Sequence, residues 1–530
     1  MKLALIYPPF YHKKFNENLP TVDDEFGIFP HVNFGYVSTA AKSCGWEVKL
    51  FDAAATKQSF SEFLIALKEF NPDLIGMTAH AVQTFQDMLD WAVLIKKHTD
   101  LPLLVGGYEA KIYPKEIMSH QCFDYLCSGE AQTFLPPFLK AFENKSDFNK
   151  VPDLYYRANG SIKTTNLKAP LAFVDFNLPD RSIFNHNLYY SHVSQRKNFT
   201  IGMSSIGCPY TCSFCCMAKT GFEERTPEQI VMEMKACVND HDIHEIDWFD
   251  PVMLQNKDRI SNFSKILAQE KLDIIWSTRA RIDSLTMKGS KGKPDELFIR
   301  NLAESGCKRL FLGVESGDQD ILNNVHKGLR VNQIHDVLSC AKEHGIMLLG
   351  FFMIGNPGET KQSVKKTVDL AKSLPLDYSQ FSIAVMKPHT ELSDKYMVDS
   401  MGYDFWKEYI KGNAVEQVLP TPWTDMGREE CEKLSKAAYL SFYLRPRYIF
   451  KMILSITTFE EFFRYVRVAL QLIFRPVGYE SGSFNKIKRS MLFFVEGVLA
   501  TFNKYGARHE FNKWGKGFKA ICKMSVKEWF

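Results

Sequence analysis

The sequence predicts an α/β chain in three parts: a doubly wound parallel sheet, a second run of six β/α units, and a helical C-terminal region. Three observations predict it. Short apolar runs alternate with longer amphipathic ones from residue 2 to about 145, the alternation that gives a parallel sheet with helices on both faces. The same alternation resumes near residue 199 and yields six strands by about residue 385. After residue 400 the strand-like runs stop, and helical stretches are broken at Pro446, Pro476 and Gly482.

Length and composition set the frame. A chain of 530 residues exceeds one ordinary domain. The expected division is 1–145, a connector at 146–198, 199–400, and a helical domain at 401–530. An apolar content of 45% is enough for sizeable cores, and 65 Lys and Arg against 61 Asp and Glu leave a net charge of only +4. That balance gives no reason to expect a nucleic-acid partner. The first apolar run, 2–7, is too short for a secretory signal and runs straight into Pro8-Pro9. No run of about 20 uncharged apolar residues occurs, so no membrane-spanning helix is expected. Twelve cysteines without a signal point to reduced thiols and a cytoplasmic chain.

In the first part the expected order is a strand at 2–7, a helix at 36–44 closed by Gly45, and a strand at 47–51. A helix at 59–70 stops at Asn71-Pro72. A strand at 73–78, a helix at 84–98 and a strand at 101–105 follow. A short strand at 123–127 leads through Gly129-Glu130 into another helix. This is a Rossmann-like order, and ligands of such sheets sit beyond the carboxyl ends of the strands. The loops there are Tyr7-Pro8-Pro9-Phe10, Met77-Thr78-Ala79-His80, Gly106-Gly107-Tyr108-Glu109 and Ser128-Gly129-Glu130. Glycine in such loops lets backbone approach a large flat ligand. No G-x-G-x-x-G occurs, so a nicotinamide cofactor is not expected. The long first loop, 20–36, lies at the same end and is expected to help cover a site. In the connector, 154–157 and 161–164 around Asn159-Gly160 predict a β-hairpin.

The six strands of the second part are expected at 199–204, 244–249, 274–277, 309–313, 347–352 and 380–385. Directly after the first stands Cys208-Pro209-Tyr210-Thr211-Cys212-Ser213-Phe214-Cys215-Cys216, with three cysteines spaced C-x3-C-x2-C. Thiolates this close on one loop can converge on one metal centre. A [4Fe–4S] cube takes four thiolates, so Cys208, Cys212 and Cys215 would leave one iron open to a substrate or cofactor. A zinc knuckle would need a fourth N or S ligand, and buried inert thiols are the other alternative. Cys216 is one position out of pattern.

The cysteine spacing, with Phe214 before the last ligand and six β/α units behind it, closely resembles the radical S-adenosylmethionine (SAM) family. The resemblance implies a partial (β/α)6 barrel whose open iron binds the amino and carboxylate groups of SAM. Sites in such barrels lie at the strand carboxyl ends. Asp250 then falls where the family contacts the SAM amino group, although many relatives carry two acids and an aromatic where this chain has Asp250-Pro251-Val252. Arg279 is placed to pair with the SAM carboxylate, with Arg281 as its rival. Glu315 would accept from the ribose or orient Arg279, and Gly355 would let backbone approach the adenine. The alternative for the charged residues is a set of structural ion pairs in the barrel mouth; for Gly355 it is a plain Gly-Pro turn.

Placed directly before such a barrel, the first domain resembles the cobalamin-binding domain of the B12-dependent radical SAM group. Thr78, Gly106, Gly107, Tyr108, Gly129 and Glu130 stand in its ligand loops. The D-x-H-x-x-G motif that supplies a lower histidine ligand in other B12 proteins is absent: the chain reads Asp52-Ala53-Ala54-Ala55-Thr56. His80 is the one nearby histidine, either a ligand or a polar loop residue. A degenerate B12 fold that binds nothing is the alternative for the whole domain.

The resemblance implies three cofactors, a [4Fe–4S] cluster, SAM and cobalamin, and an electron donor such as flavodoxin or ferredoxin. It implies methylation of an unactivated carbon on a small-molecule or lipid substrate, with ring formation or rearrangement as the alternative. An electron-transfer iron–sulfur protein is the reading from another class, and the open ligand position and full barrel argue against it. No catalytic acid or base can be named from the sequence. Residues 445–530 hold 16 Lys and Arg against 6 Asp and Glu, and 450–474 mixes apolar residues with Arg464 and Arg467. Such a stretch either lies on a membrane surface or packs on the barrel with its charged face in water.

Overall fold

The computed structural model describes residues 1–9 and 27–455, except 80, 166, 169–172, 174–176, 197, 291 and 415–418. Residues 20–26 of the long first loop, His80 and the basic stretch beyond 455 therefore lie outside the described residues; the rest of that loop holds the short strand Gly27–Ile28 and the start of the helix Asn33–Ser43.

The first sheet has seven strands: β1 (Lys2–Tyr7), β2 (Glu47–Asp52), β3 (Leu74–Thr78), β4 (Leu103–Gly106), β5 (Tyr125–Cys127), β6 (Leu154–Ala158) and β7 (Ser161–Thr164). Their order is β2-β1-β3-β4-β5-β6-β7. β2, β1, β3, β4 and β5 are parallel, and the last two pairings are antiparallel. The chain turns one way from β1 to β2 and the other way to β3, so the switch point lies between β1 and β3, the place where such sheets bind ligands. Punctuation in the sequence sets the elements. Ser59 and Glu62 form a capping box that starts the helix Phe60–Phe70, and Asn71 ends it in the left-handed conformation.

The hairpin expected as part of a connector instead completes this sheet. Leu126 of β5 pairs with Tyr155 and Cys127 with Leu154, which covers an edge that would otherwise expose unpaired backbone. Asn159 and Gly160 both have positive φ, the requirement of the tight primed turn.

The second sheet holds β8 (Phe199–Gly202), β9 (Glu245–Trp248), β10 (Ile275–Ala280), β11 (Cys307–Glu315), β12 (Met347–Ile354) and β13 (Tyr378–Ile383), all parallel and in chain order. Sequential order leaves the intervening helices on one side, so the sheet curves as an open half-barrel with its strand carboxyl ends at one rim. A large apolar cluster including Trp248, Trp276, Phe263 and Phe352 fills the space between sheet and helices.

The described part of the helical region after β13 packs on the domains before it. Phe405, Trp406, Tyr409, Ile410 and Trp423 share one buried cluster with Phe63, Phe85, Trp91 and Phe123 of the first domain. Polar contacts fix the join: Tyr113 donates to Asp404 (3.0 Å), His120 Nε2 to Ile410 O (2.7 Å), and Tyr409 to Gln83 O (2.9 Å). The next helix, Arg428–Tyr443, packs on β13 instead, with Ser435 donating to Phe381 O. The described part of the region, to residue 455, thus packs on both domains.

A buried ion cluster ties the connector to the barrel. Glu233 accepts from Arg181 Nη2 (2.5 Å) and Arg225 Nη1 (2.7 Å), and Arg181 Nη1 donates to Thr200. All three charged side chains are at most 3% exposed, and Arg225 lies over the rings of Tyr36 and Phe173. Removing one partner from a buried ion cluster leaves uncompensated charge. Glu233→Ala is therefore expected to cost about 3–5 kcal/mol, read as a lower denaturant midpoint of the full chain. An unchanged midpoint would show that this cluster does not hold the connector in place.

Candidate functional site

The three cysteines lie in a loop that the backbone closes by itself. Ser205–Ile206 and Glu223–Glu224 pair as a short antiparallel clasp at its base. Gly207 has φ +74, and a Cβ there would stand 1.7 Å from Gly221 O, so only glycine fits. Inside the loop Cys208 N donates to Thr220 Oγ1 (3.0 Å). Lys219 N donates to Tyr210 O and Cys215 N to Cys212 O. From outside, Ser213 N reaches Val325 O, and Ser213 O accepts from Leu392 N.

Cys208 and Cys212 are buried, and Cys215 is half-buried. Burial pushes the Cys208 thiol up, and pushes Cys215 up to about 12, with Cys216, Cys212 and Cys208 adding to the rise at Cys215. The three thiols therefore converge. Among the described residues no three His, Cys, Asp or Glu side chains meet closely enough to share a single ion. In a [4Fe–4S] cube each Cys thiolate takes its own iron, so three ligands need not share one ion. The donors are all thiols, the cations Arg281 and Lys327 face Cys208, and the set suits a [4Fe–4S] cluster with one open iron. Phe214 packs toward the cluster of apolar side chains that joins the two domains.

The strand ends around this loop separate residues that looked alike in sequence. Arg279, on β10, gives Nη1 to Asp247 (2.7 Å) and to Trp248 O (3.3 Å), and its guanidinium lies 3.4 Å from the centre of the Phe249 ring. Arg281, two residues on, is chelated by Asp283, donates to Lys327 O (2.6 Å), and places Nη1 3.5 Å from Cys212 Sγ. Glu315 does not orient Arg279. It ends β11 in the left-handed region (φ +66) and pairs with Lys327 at 2.7 Å. A Cβ on Gly313 would come within 2.6 Å of that carboxylate.

Asp250 is not turned toward the barrel mouth either. It is fully buried, and its two oxygens accept from Ser204 N (2.7 Å), Ser204 Oγ and Ser205 Oγ (2.8 Å). With β8 ending just before them, these serines need a fixed acceptor, so Asp250 braces the entrance to the cysteine loop. Gly355 N donates to Glu359 Oε2 (2.7 Å), and its φ is +90. Burial pushes Glu359 up to about 7.

At the first domain, Thr78 and Gly106 are register partners at the ends of β3 and β4. Gly107 has φ +107, and a Cβ on it would stand 2.3 Å from Thr78 Oγ1. At Gly106 the nearest atom would be 4.0 Å away, so backbone is open there to a flat ligand, as cobalamin requires. Gly129 faces Asp153 instead: a Cβ would lie 2.3 Å from its carboxylate. Glu130 forms an exposed pair with Lys111 at 3.7 Å. Asp52, at the end of β2, is occupied by Ala55 N (2.9 Å) and the Tyr189 hydroxyl (2.7 Å).

Tyr108 joins the two halves of the site. Burial first, and then the neighbouring Cys216 and Cys215 thiols, hold its hydroxyl well above the usual range, so it lies near both. The ligand loop of the first domain thus lies near the cysteine loop of the second. The sequence pattern missed Lys327, which no spacing rule marks, and placed Glu109 in a ligand loop without giving it a role. Glu109 is 4% exposed, and burial pushes it up to about 7, opposed by Lys387 beyond β13.

Glu109 yields a pH prediction. The unfolded chain ionises this carboxyl near 4.5, the folded chain near 7. Between these values only the unfolded state releases the proton, so stability falls as pH rises, by roughly 3 kcal/mol in all. Glu109→Gln removes that share. The apo variant is expected to match the wild type near pH 5 and to melt higher at about pH 8. Parallel melting curves across that window would contradict the burial argument.

The comparisons with known proteins agree with this geometry. The B12 binding domain family model matches residues 26–138, and the Radical SAM superfamily model matches 204–371. An uncharacterized methyltransferase of Pyrococcus horikoshii is 27% identical over 459 residues, covering 85% of this chain and 94% of the relative. The anaerobic magnesium-protoporphyrin IX monomethyl ester cyclase of Rubrivivax gelatinosus is 23% identical over 404 residues, covering 74% and 71%. The radical SAM methyltransferase TsrM of Kitasatospora setae, solved with cobalamin and a [4Fe–4S] cluster, superposes with TM-score 0.59 at 17% identity, covering 74% of each chain. The two matched domains imply a [4Fe–4S] cluster, SAM and cobalamin as cofactors. With a B12-binding domain leading into a half-barrel that carries the cysteine loop, the chain is a B12-binding-domain-containing radical SAM protein.

Proposed function

We propose that this enzyme methylates an unactivated carbon of a small-molecule or lipid substrate. The observation that supports the reading is the nearness of Tyr108, in the proposed cobalamin loops, to Cys216 in the proposed cluster loop. When bound, the cluster and SAM supply a 5′-deoxyadenosyl radical that removes a hydrogen atom, and cobalamin supplies the methyl group. The chain's own part is to bind, orient and exclude water. Cys208, Cys212 and Cys215 hold the cluster, and Arg279 takes the SAM carboxylate while staying on Asp247. Gly355 brings backbone to the adenine, and Phe214 backs the cluster loop. Thr78, Gly106, Gly107 and Tyr108 take the corrin, with Gly129 and Glu130 at the margin of that surface. A one-electron donor of the flavodoxin or ferredoxin class completes the system.

Among the described residues no helix is long and apolar enough to cross a membrane. The stretch suggested for peripheral lipid contact lies almost wholly beyond them.

A second reading, ring formation, is favoured by one observation: the similarity to the porphyrin cyclase extends over 71% of that relative. One anaerobic assay separates the two. With SAM, reductant and methylcobalamin, methyl transfer yields both 5′-deoxyadenosine and S-adenosylhomocysteine; deoxyadenosine alone, with true substrate present, would exclude methylation and leave ring formation. Cys208→Ala is expected to lower SAM cleavage at least about 1000-fold, since the step has no path around the cluster, while cobalamin binding to the first domain persists. Retained cleavage in that variant would refute the ligand assignment.

A further inference from the structure

The two arginines at the end of β10 differ in how their donors are committed. The Arg279 side chain is 23% exposed. Arg281 is 9% exposed as a side chain, and the fork is held on every edge. Nε and Nη2 chelate Asp283 (2.9 Å each), Nη2 also donates to Lys327 O (2.6 Å), and the guanidinium lies 3.7 Å from the centre of the Tyr210 ring. Lys327 is itself immobilised by Glu315. The remaining terminal nitrogen, Nη1, points at Cys212 Sγ from 3.5 Å. A guanidinium this committed is not free to follow the carboxylate of a substrate, but it is well placed to act on a thiolate.

Resting on the cluster assignment above, we propose that Arg281 is a positioning residue that tunes the cluster: its Nη1–H donates to the Cys212 thiolate and raises the reduction potential. The physical reason is charge. One-electron reduction by an external one-electron donor adds a negative charge to the cluster and its thiolates, with no bond made or broken and the donor leaving oxidised. A fixed cation beside a sulfur stabilises the reduced state more than the oxidised one, most of all where water is excluded. Hydrogen bonds to sulfur, net charge and solvent exposure set iron–sulfur potentials, and partners behind the ligands tune metal centres generally. Asp283 offsets part of this charge, but it is 34% exposed and screened by water, whereas the Arg281–Cys212 contact is buried.

The test is a redox titration of the reconstituted full chain, followed by cluster absorbance and electron paramagnetic resonance, with iron and sulfide counted in each variant. Arg281→Gln keeps a donor and removes the charge. Its midpoint is expected to fall so that the reduced-to-oxidised ratio at fixed potential drops about tenfold, about 59 mV for one electron. Asp283→Asn removes the opposing charge, keeps an acceptor for Nε, and is expected to move the midpoint the other way. A fully loaded Arg281→Gln with the wild-type midpoint overturns the proposal. Should that variant fail to load, an unmoved midpoint in Asp283→Asn overturns it. A wild-type chain that shows no [4Fe–4S] signature overturns the cluster assignment itself, which is a separate failure.

Discussion

The structure turns on holding three thiols on one loop while burial opposes the ionisation of Cys208 and Cys215. The thiolate is the form that binds metal, yet burial raises Cys208 and Cys215. The loop must therefore keep its shape on backbone terms alone. The clasp at 205–206 and 223–224, the glycine at 207 and the Thr220 acceptor do this without using any thiol. Asp250 does the same one step earlier, by fixing both serines that lead into the loop. The shape of the loop thus rests on groups other than its thiols.

That loop is also where the parts of the chain meet. Val325 comes from the barrel, Leu392 from the segment after it, and Tyr108 from the first domain. Residues 384–414 then cross back and bury Phe405, Trp406 and Tyr409 against the first domain. Pulling the domains apart would expose these rings, at roughly 1.5–3 kcal/mol for each large apolar side chain. Three or four of them outweigh any single polar contact at the join. The spacing between the two ligand surfaces is accordingly set by packing rather than by a hinge.

How much of this was legible in the sequence follows the range of the interactions. The strands, their alternation with helices and the cysteine loop were legible because periodicity, glycine and cysteine spacing are local signals. The pairings were not. Asp250 and Glu315 stand where family-like positions suggested ligand contacts, but one is turned inward by two serines and the other is swung by a positive φ onto Lys327. Neither turn is written in neighbouring residues. The hairpin was recognised by its Asn-Gly turn, but not its place at the sheet edge, because edge pairing depends on where β5 stops. Helix 405–411 reads as helix in sequence; that its partner is the first domain rests on contacts some 300 residues apart.

The ion pairs at the barrel mouth divide the work among cations that are equivalent in charge. Lys327 is closed off with Glu315, both side chains at most 10% exposed, and opening such a pair leaves buried charge behind. Arg281 has every edge of its fork engaged. Arg279 differs on two counts: its side chain is 23% exposed, and its contacts with Asp247 and Trp248 both run through Nη1. A guanidinium has five donors in a planar fork, so it can keep one carboxylate on one nitrogen while turning another edge to a second. Asp247, 2% exposed, then never loses its partner when a ligand carboxylate comes in. This favours Arg279 as the residue that meets SAM, and it leaves Arg281 to the cluster.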